Sequence, residues 1–154
     1  MAARKAAQPR VPAWGGRLFL DVGTILFVGP GGAAEPHAHH AVQLAWTLDG
    51  DVTVTFDAPL RRRAALVPAD LPHALDSTGR RVAIMYVEPH GALGRALDRR
   101  ARSNLGAEVV GDLERISFPP IELSVPEAAA WCEHVLSALG ATEQTTPLSS
   151  VSRR

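Results

Sequence analysis

The chain has 154 residues, a mass of 16.4 kDa, 16 basic and 16 acidic side chains, and a pI near 7. That length builds one ordinary domain, able to bury roughly 68–70% of its unfolded surface without disulfides, and 46% hydrophobic against 21% charged residues is the balance of a globular chain. Neutral charge argues against a dedicated nucleic-acid surface, the lone Cys132 excludes an internal disulfide or a cysteine-built zinc site, and no apolar run reaches the ~20 residues that span a bilayer.

Residues 1–12 are small, polar and unpatterned, which predicts a tail. They lack the apolar core of a signal peptide, so a cytoplasmic protein is expected. From residue 13 to 89 the sequence reads as short β segments between turns. RLFLDV (17–22) and TILFVG (24–29) are split by Gly23, and AVQLAWTLDG (41–50) runs into DVTVTFD (51–57), where Val52, Val54 and Phe56 alternate with polar residues. Asp49-Gly50 is a hairpin signal, because both residues tolerate positive φ. RAALVP (63–68), HALDST (73–78) and RVAIMYVE (81–88) complete the set. Short strands at this spacing predict a barrel or sandwich.

After Pro89 the period changes. Residues 91–104 have helical spacing, with Leu93 and Leu97 on one face. A second helix is better marked, with Ser124 and Glu127 in capping-box spacing, Pro126 in the first turn and Gly140 at the end. Its apolar stripe runs through Ala128, Trp131, Cys132, Val135, Leu136 and Leu139. Residues 90–140 therefore read as a helical appendage to the β core, and 141–154 as a polar tail.

Three of the six histidines are spaced for a common site. His37 and His39 are separated by one residue, so an extended segment projects both to one face. His73 follows Pro68 and Pro72 at the mouth of another strand. Gln43 lies about 13 Å beyond His39 on a straight strand, and joins it only if residues 40–42 bend. Three neutral imidazoles with an open position make a reactive metal site, and zinc, nickel, copper, iron or manganese would suit it.

The segment from Gly31 through His37, His39 and Gln43 to Gly50 resembles the first cupin motif, with Gln43 where that motif carries a glutamate ligand. Pro68 to His73 resembles the second, with Asp70 in place of its glycine, a change that a left-handed turn tolerates. The resemblance implies a mainly β, RmlC-like jelly-roll barrel with a divalent transition metal on His37, His39, Gln43 and His73. His40, Trp46 and Tyr86 are candidate pocket residues, the two aromatics competing for places in the core.

PHAHHAVQLAWTLDG, LVPADLPHAL and YVEPHGALGRAL further resemble the N-terminal sensor domain of AraC-type transcriptional regulators, without the helix-turn-helix region. That implies a small-molecule effector, a homodimer formed through the C-terminal helix, and no direct DNA binding by this chain. A stand-alone metal-dependent enzyme with hydrolytic, isomerase, lyase or dioxygenase chemistry is the alternative, for which no proton-transfer residue is fixed by the sequence.

Overall fold

The computed structural model describes residues 14–140, apart from 107, 114, 115 and 121; both expected tails, 1–12 and 141–154, lie outside the described residues. Nine strands come first. In chain order they are β1 (Arg17–Asp21), β2 (Thr24–Pro30), β3 (Ala33–His37), β4 (Val42–Thr47), β5 (Val52–Thr55), β6 (Pro59–Arg62), β7 (Ala64–Val67), β8 (His73–Asp76) and β9 (Arg81–Val87). Helices α1 (Ala92–Ser103), α2 (Val110–Leu113) and α3 (Val125–Gly140) follow. The strands form a five-stranded sheet in the order β1-β2-β9-β4-β7 and a four-stranded sheet in the order β3-β8-β5-β6, with antiparallel pairing throughout. Among the described residues no helix is long and apolar enough to cross a membrane.

Away from its β1 edge the larger sheet is buried on both faces, and strand alternation sorts its side chains between two apolar layers. Ala45 pairs with Ile84 and Ala65, and these residues face the smaller sheet across the barrel interior with Val52, Val54, Val67 and Leu75. Their neighbours one step along, Leu44, Trp46, Leu66 and Met85, face outward beneath the helices. This explains why β4 is buried at all six positions and reads as a nearly continuous apolar run rather than a clean alternation. A tight turn forms at Asp49-Gly50, with Gly50 at φ +67°, but the hairpin expected there does not: β4 pairs with β9 and β7 while β5 pairs with β6 and β8, so the turn carries the chain from one sheet to the other.

The helices close the outer layer. The reciprocal capping box forms: Ser124 N–H donates to Glu127 Oε2 at 2.7 Å, and Glu127 N–H donates to Ser124 Oγ at 3.3 Å. These bonds hold the Glu127 carboxyl below its ordinary value. The α3 stripe of Ala128, Trp131, Cys132, Val135 and Leu139 is buried inside the chain. Most of the apolar surface that the sequence assigns to a dimer is thus spent on the barrel's own outer face. Burial pushes the Cys132 thiol up to about 11, so it acts as a small hydrophobe.

Gly94 sets how closely α1 sits on the end of β9. A Cβ there would stand 1.9 Å from the carbonyl oxygen of Glu88, a backbone atom that has no room to yield. Gly94→Ala is therefore expected to cost on the order of 2 kcal/mol of stability. Gly111→Ala, where a Cβ meets nothing within 4 Å, should be neutral or gain up to ~1 kcal/mol. Chemical denaturation of both variants checks this, and equal effects would contradict the packing described.

Candidate metal centre

His37 is the last residue of β3 and pairs with His73, the first residue of β8, across the smaller sheet. Residues 38–41 leave the strand and bend before β4 begins at Val42. That bend removes the distance a straight strand would impose between His39 and Gln43. The imidazole rings of His37, His39 and His73 stand 4.6–5.5 Å apart, centroid to centroid, and each offers a ligand nitrogen within 4.8 Å of the others. Gln43 reaches in from β4, with Oε1 2.7 Å from His39 Nε2 and 3.1 Å from His73 Nε2. The Gln43 amide thus sits against two of the three clustered imidazoles.

Backbone carbonyls decide the chemistry of the rings. Nδ1 of His37 lies 2.7 Å from the oxygen of Glu35, Nδ1 of His39 3.1 Å from Ala41, and Nδ1 of His73 2.8 Å from Leu71. A carbonyl oxygen only accepts, so each Nδ1 carries the proton and donates it. In the neutral ring the Nε2 lone pair is then left free to ligate, the tautomer-fixing arrangement found around metal-bound histidines. Burial holds His73 below its ordinary value of 6.5, with His37 and His39 adding to the effect against a hydrogen bond to Leu71 that raises it. The neutral, ligating form is favoured.

Gln43 fits this donor set in an unusual way. Its Oε1 faces two lone pairs, an arrangement of acceptors that a shared cation reconciles. A half-turn of the amide would present its NH2 instead, which can donate to both imidazoles without a cation. Glutamate has no such second face.

The ligand segment is held from outside the barrel by Asp70. This residue sits at φ +59°, the left-handed turn that the motif's glycine position requires. Its N–H donates to the carbonyl of His39 at 2.9 Å, and its carboxylate accepts from His40 Nδ1 at 2.7 Å. Its neighbour Ala69 is bound on both sides by α1: the N–H donates to Asp98 Oδ1 at 2.8 Å, and the carbonyl accepts from Arg102 at 2.5 Å. His90 Nε2–H donates to His40 Nε2 at 2.8 Å, and Glu88 accepts from the N–H groups of His90 and Gly91. Two tethers, an exposed one through His40 and His90 and a part-buried one through Ala69, thus tie the start of α1 and its middle to the segment carrying His39.

Of the pocket residues expected from the sequence, Tyr86 is placed in the barrel. Its ring meets His39 edge-on at 5.0 Å, and burial pushes its phenol above the ordinary value. His40 is exposed, turned to Asp70 and His90 rather than into the barrel. Trp46 is placed on the opposite face of the sheet, stacked on Trp131 at 5.8 Å and edge-on to Phe118 at 5.7 Å. Alternation decides this, since Gln43 and Ala45 point inward and Trp46 must point out. The pairing of His40 with His90, fifty residues apart, has no local signal in the sequence. A cavity of about 310 Å³ opens beside the triad, walled by Trp14, Leu18, Phe27, Leu75, Ile84 and Tyr86, with His37 and Gln43 as its polar corner.

No protein-family model matches the sequence, and no curated protein matches it. Among solved structures the chain is similar to a protein from Neisseria meningitidis, at 20% identity over 49% of this chain and 86% of that one, with a TM-score of 0.41. It is also similar to an RmlC-like cupin from Desulfovibrio desulfuricans, at 15% identity over 57% of this chain and 96% of that one, with a TM-score of 0.40. A DMSP lyase from Ruegeria pomeroyi is matched at 19% identity over 42% of this chain and 36% of the lyase, with a TM-score of 0.33. Likeness at these identities concerns the fold alone. The fold itself is two antiparallel sheets enclosing an apolar interior, followed by helices. The mainly β class and the small helical appendage are those the sequence predicts.

A carboxylate at position 43 would add a negative ligand and remove the amide's cation-free alternative. Gln43→Glu is therefore expected to bind Zn²⁺ roughly tenfold more tightly or better, about 1.4 kcal/mol of added attraction. Competition against a chromogenic chelator reads this directly; unchanged or weaker affinity would place residue 43 outside the coordination sphere.

Proposed function

We propose that the protein is a metal-bearing, small-molecule-binding cupin that works as a sensor module of the AraC-type kind. The observation that carries this reading is the grouping of three imidazoles with the Gln43 amide beside an otherwise apolar cavity, whose polar corner is His37 and Gln43. His37, His39, His73 and Gln43 would hold a divalent transition metal, which supplies a Lewis-acidic open position for the ligand. All four donors are neutral, so the metal's double charge stays uncompensated and favours an anionic donor atom. The walls contain no Asp, Glu, Lys or Arg among the described residues. A ligand with an apolar body and one anionic end matches both features. The bonds of Ala69 to Asp98 and Arg102 of α1, and of His40 to His90 just before it, give the binding segment a mechanical connection to the helical region, as a sensor requires.

A stand-alone enzyme is the second reading, and Tyr86 favours it. Its half-buried phenol lines the cavity edge-on to His39, and burial holds it in the protonated form that could donate a proton there.

The test is metal content by elemental mass spectrometry on untagged protein after incubation with Zn²⁺, Ni²⁺ or Co²⁺ and desalting. Close to one metal per chain is expected, with none in a folded His37→Ala/His39→Ala variant. Metal-free wild-type protein that is folded by circular dichroism would overturn the proposal.

A further inference from the structure

The apolar surface left open in this fold lies on β1, an edge strand with no partner on its outer side among the described residues. Leu18 is 61% exposed, Leu20 69% and Val22 98%. Edge strands are ordinarily blunted by lysine, proline or a bulge, because an open row of main-chain groups invites pairing. β1 has none of these, and its register with β2 is unbroken from Arg17↔Val28 to Asp21↔Thr24.

The strand is also complementary to itself. It reads Arg17-Leu18-Phe19-Leu20-Asp21, a basic and an acidic end flanking an apolar centre. An antiparallel pair of two copies centred on Phe19 sets Arg17 against the partner's Asp21, and Leu18 against the partner's Leu20. Hydrogen-bond alternation allows the same register. The two-residue turn at Val22-Gly23 makes Asp21 and Thr24 a hydrogen-bonded pair, so Phe19 and Arg17 turn their main-chain groups toward β2. Leu18 and Leu20 then turn theirs to the open edge, where each can exchange both bonds with the other's copy. Arg17 and Asp21 fall at non-hydrogen-bonded positions, where facing side chains approach most closely.

We infer that the protein forms a two-fold symmetric homodimer by antiparallel pairing of β1 with β1 of a second copy, joining the two larger sheets into one. The interface is isologous, and its geometry closes at two subunits. It continues onto the helical face, where Phe19, Leu20, Val125 and Pro126 line an apolar groove of about 190 Å³ beside the edge, with Val125 67% exposed. It also bears on the metal cavity: Leu18 is part of that cavity's wall, and the partner's Leu20 would back it. This places the dimer contact on the strand opposite in the sheet to β7, rather than on the α3 stripe, which packs against the barrel.

Charge reversal at the two exposed ends tests the register. Sedimentation velocity of the wild-type chain should give twice the 16.4 kDa chain mass. Arg17→Asp alone faces two acids across the axis, and Asp21→Arg alone faces two guanidinium groups. Each is expected to raise the dimer dissociation constant roughly tenfold or more, there being two such pairs per dimer. The double variant Arg17→Asp/Asp21→Arg should restore it. Circular dichroism confirms that each variant is folded. A monomeric wild type would overturn the dimer, and single reversals without effect, or a double variant that fails to recover, would overturn the register. Zinc binding, measured in parallel, is expected to survive in all variants, so the outcome is separate from that of the metal site.

Discussion

Everything in the site depends on the register of β4 between β9 and β7. Side chains alternate across the sheet with a period of two, so a slip of one residue would present Leu44 to the histidines and bury Gln43 in the apolar layer beneath the helices. Both errors are costly: an unpaired amide among Trp46, Met85 and Leu66, and a polar corner left without its fourth donor. The two apolar layers therefore enforce the position of the polar side chain that β4 presents to the histidines. The candidate metal site is thus positioned by hydrophobic sorting of the strands.

Hydrogen bonds then refine what the sorting places. Three backbone carbonyls fix the same tautomer in three rings, a requirement that ring positions alone would not meet. Asp70 does two jobs at once, satisfying the left-handed turn before β8 and gripping His39 through the main chain. Since Ala69 is held by Asp98 and Arg102 of α1, displacement of His39 on ligand binding would be felt at the helix. Gln43 stands apart from this rigid framework. Its amide can present either an acceptor or a donor to the imidazoles, so the neutral residue suits a site that must stay ordered with and without its cation.

The fold class was legible in the sequence because turn residues punctuate β runs at regular spacing and the two cupin-like segments fall at the right places. β3 and β6 were not foreseen. Ala33–His37 and Pro59–Arg62 are exposed strands of the smaller sheet, so neither alternation nor a run of β-branched residues marks them. α2 spans four residues, too few for a helical period to show. His37 and His39 could be paired from spacing because an extended segment sends i and i+2 to one face; the place of Gln43 beside them depends on the bend at 38–41, which spacing alone left open. Trp46 could be placed only once the inward phase of β4 was known. The His40–His90 contact and the grip of Asp70 on His39 depend on how α1 docks, which no short-range pattern encodes. The α3 stripe was correctly seen as apolar, but its partner is the barrel's own outer face.

The central claim is that three Nε2 atoms and one amide oxygen form a single coordination sphere. X-ray absorption spectroscopy of the cobalt-loaded protein tests it most directly. The structure predicts an inner shell of nitrogen and oxygen only, with outer-shell scattering from three imidazoles, falling to two in a His73→Ala variant. A shell with one imidazole or none, or a wild-type spectrum unchanged by His73→Ala, would contradict it.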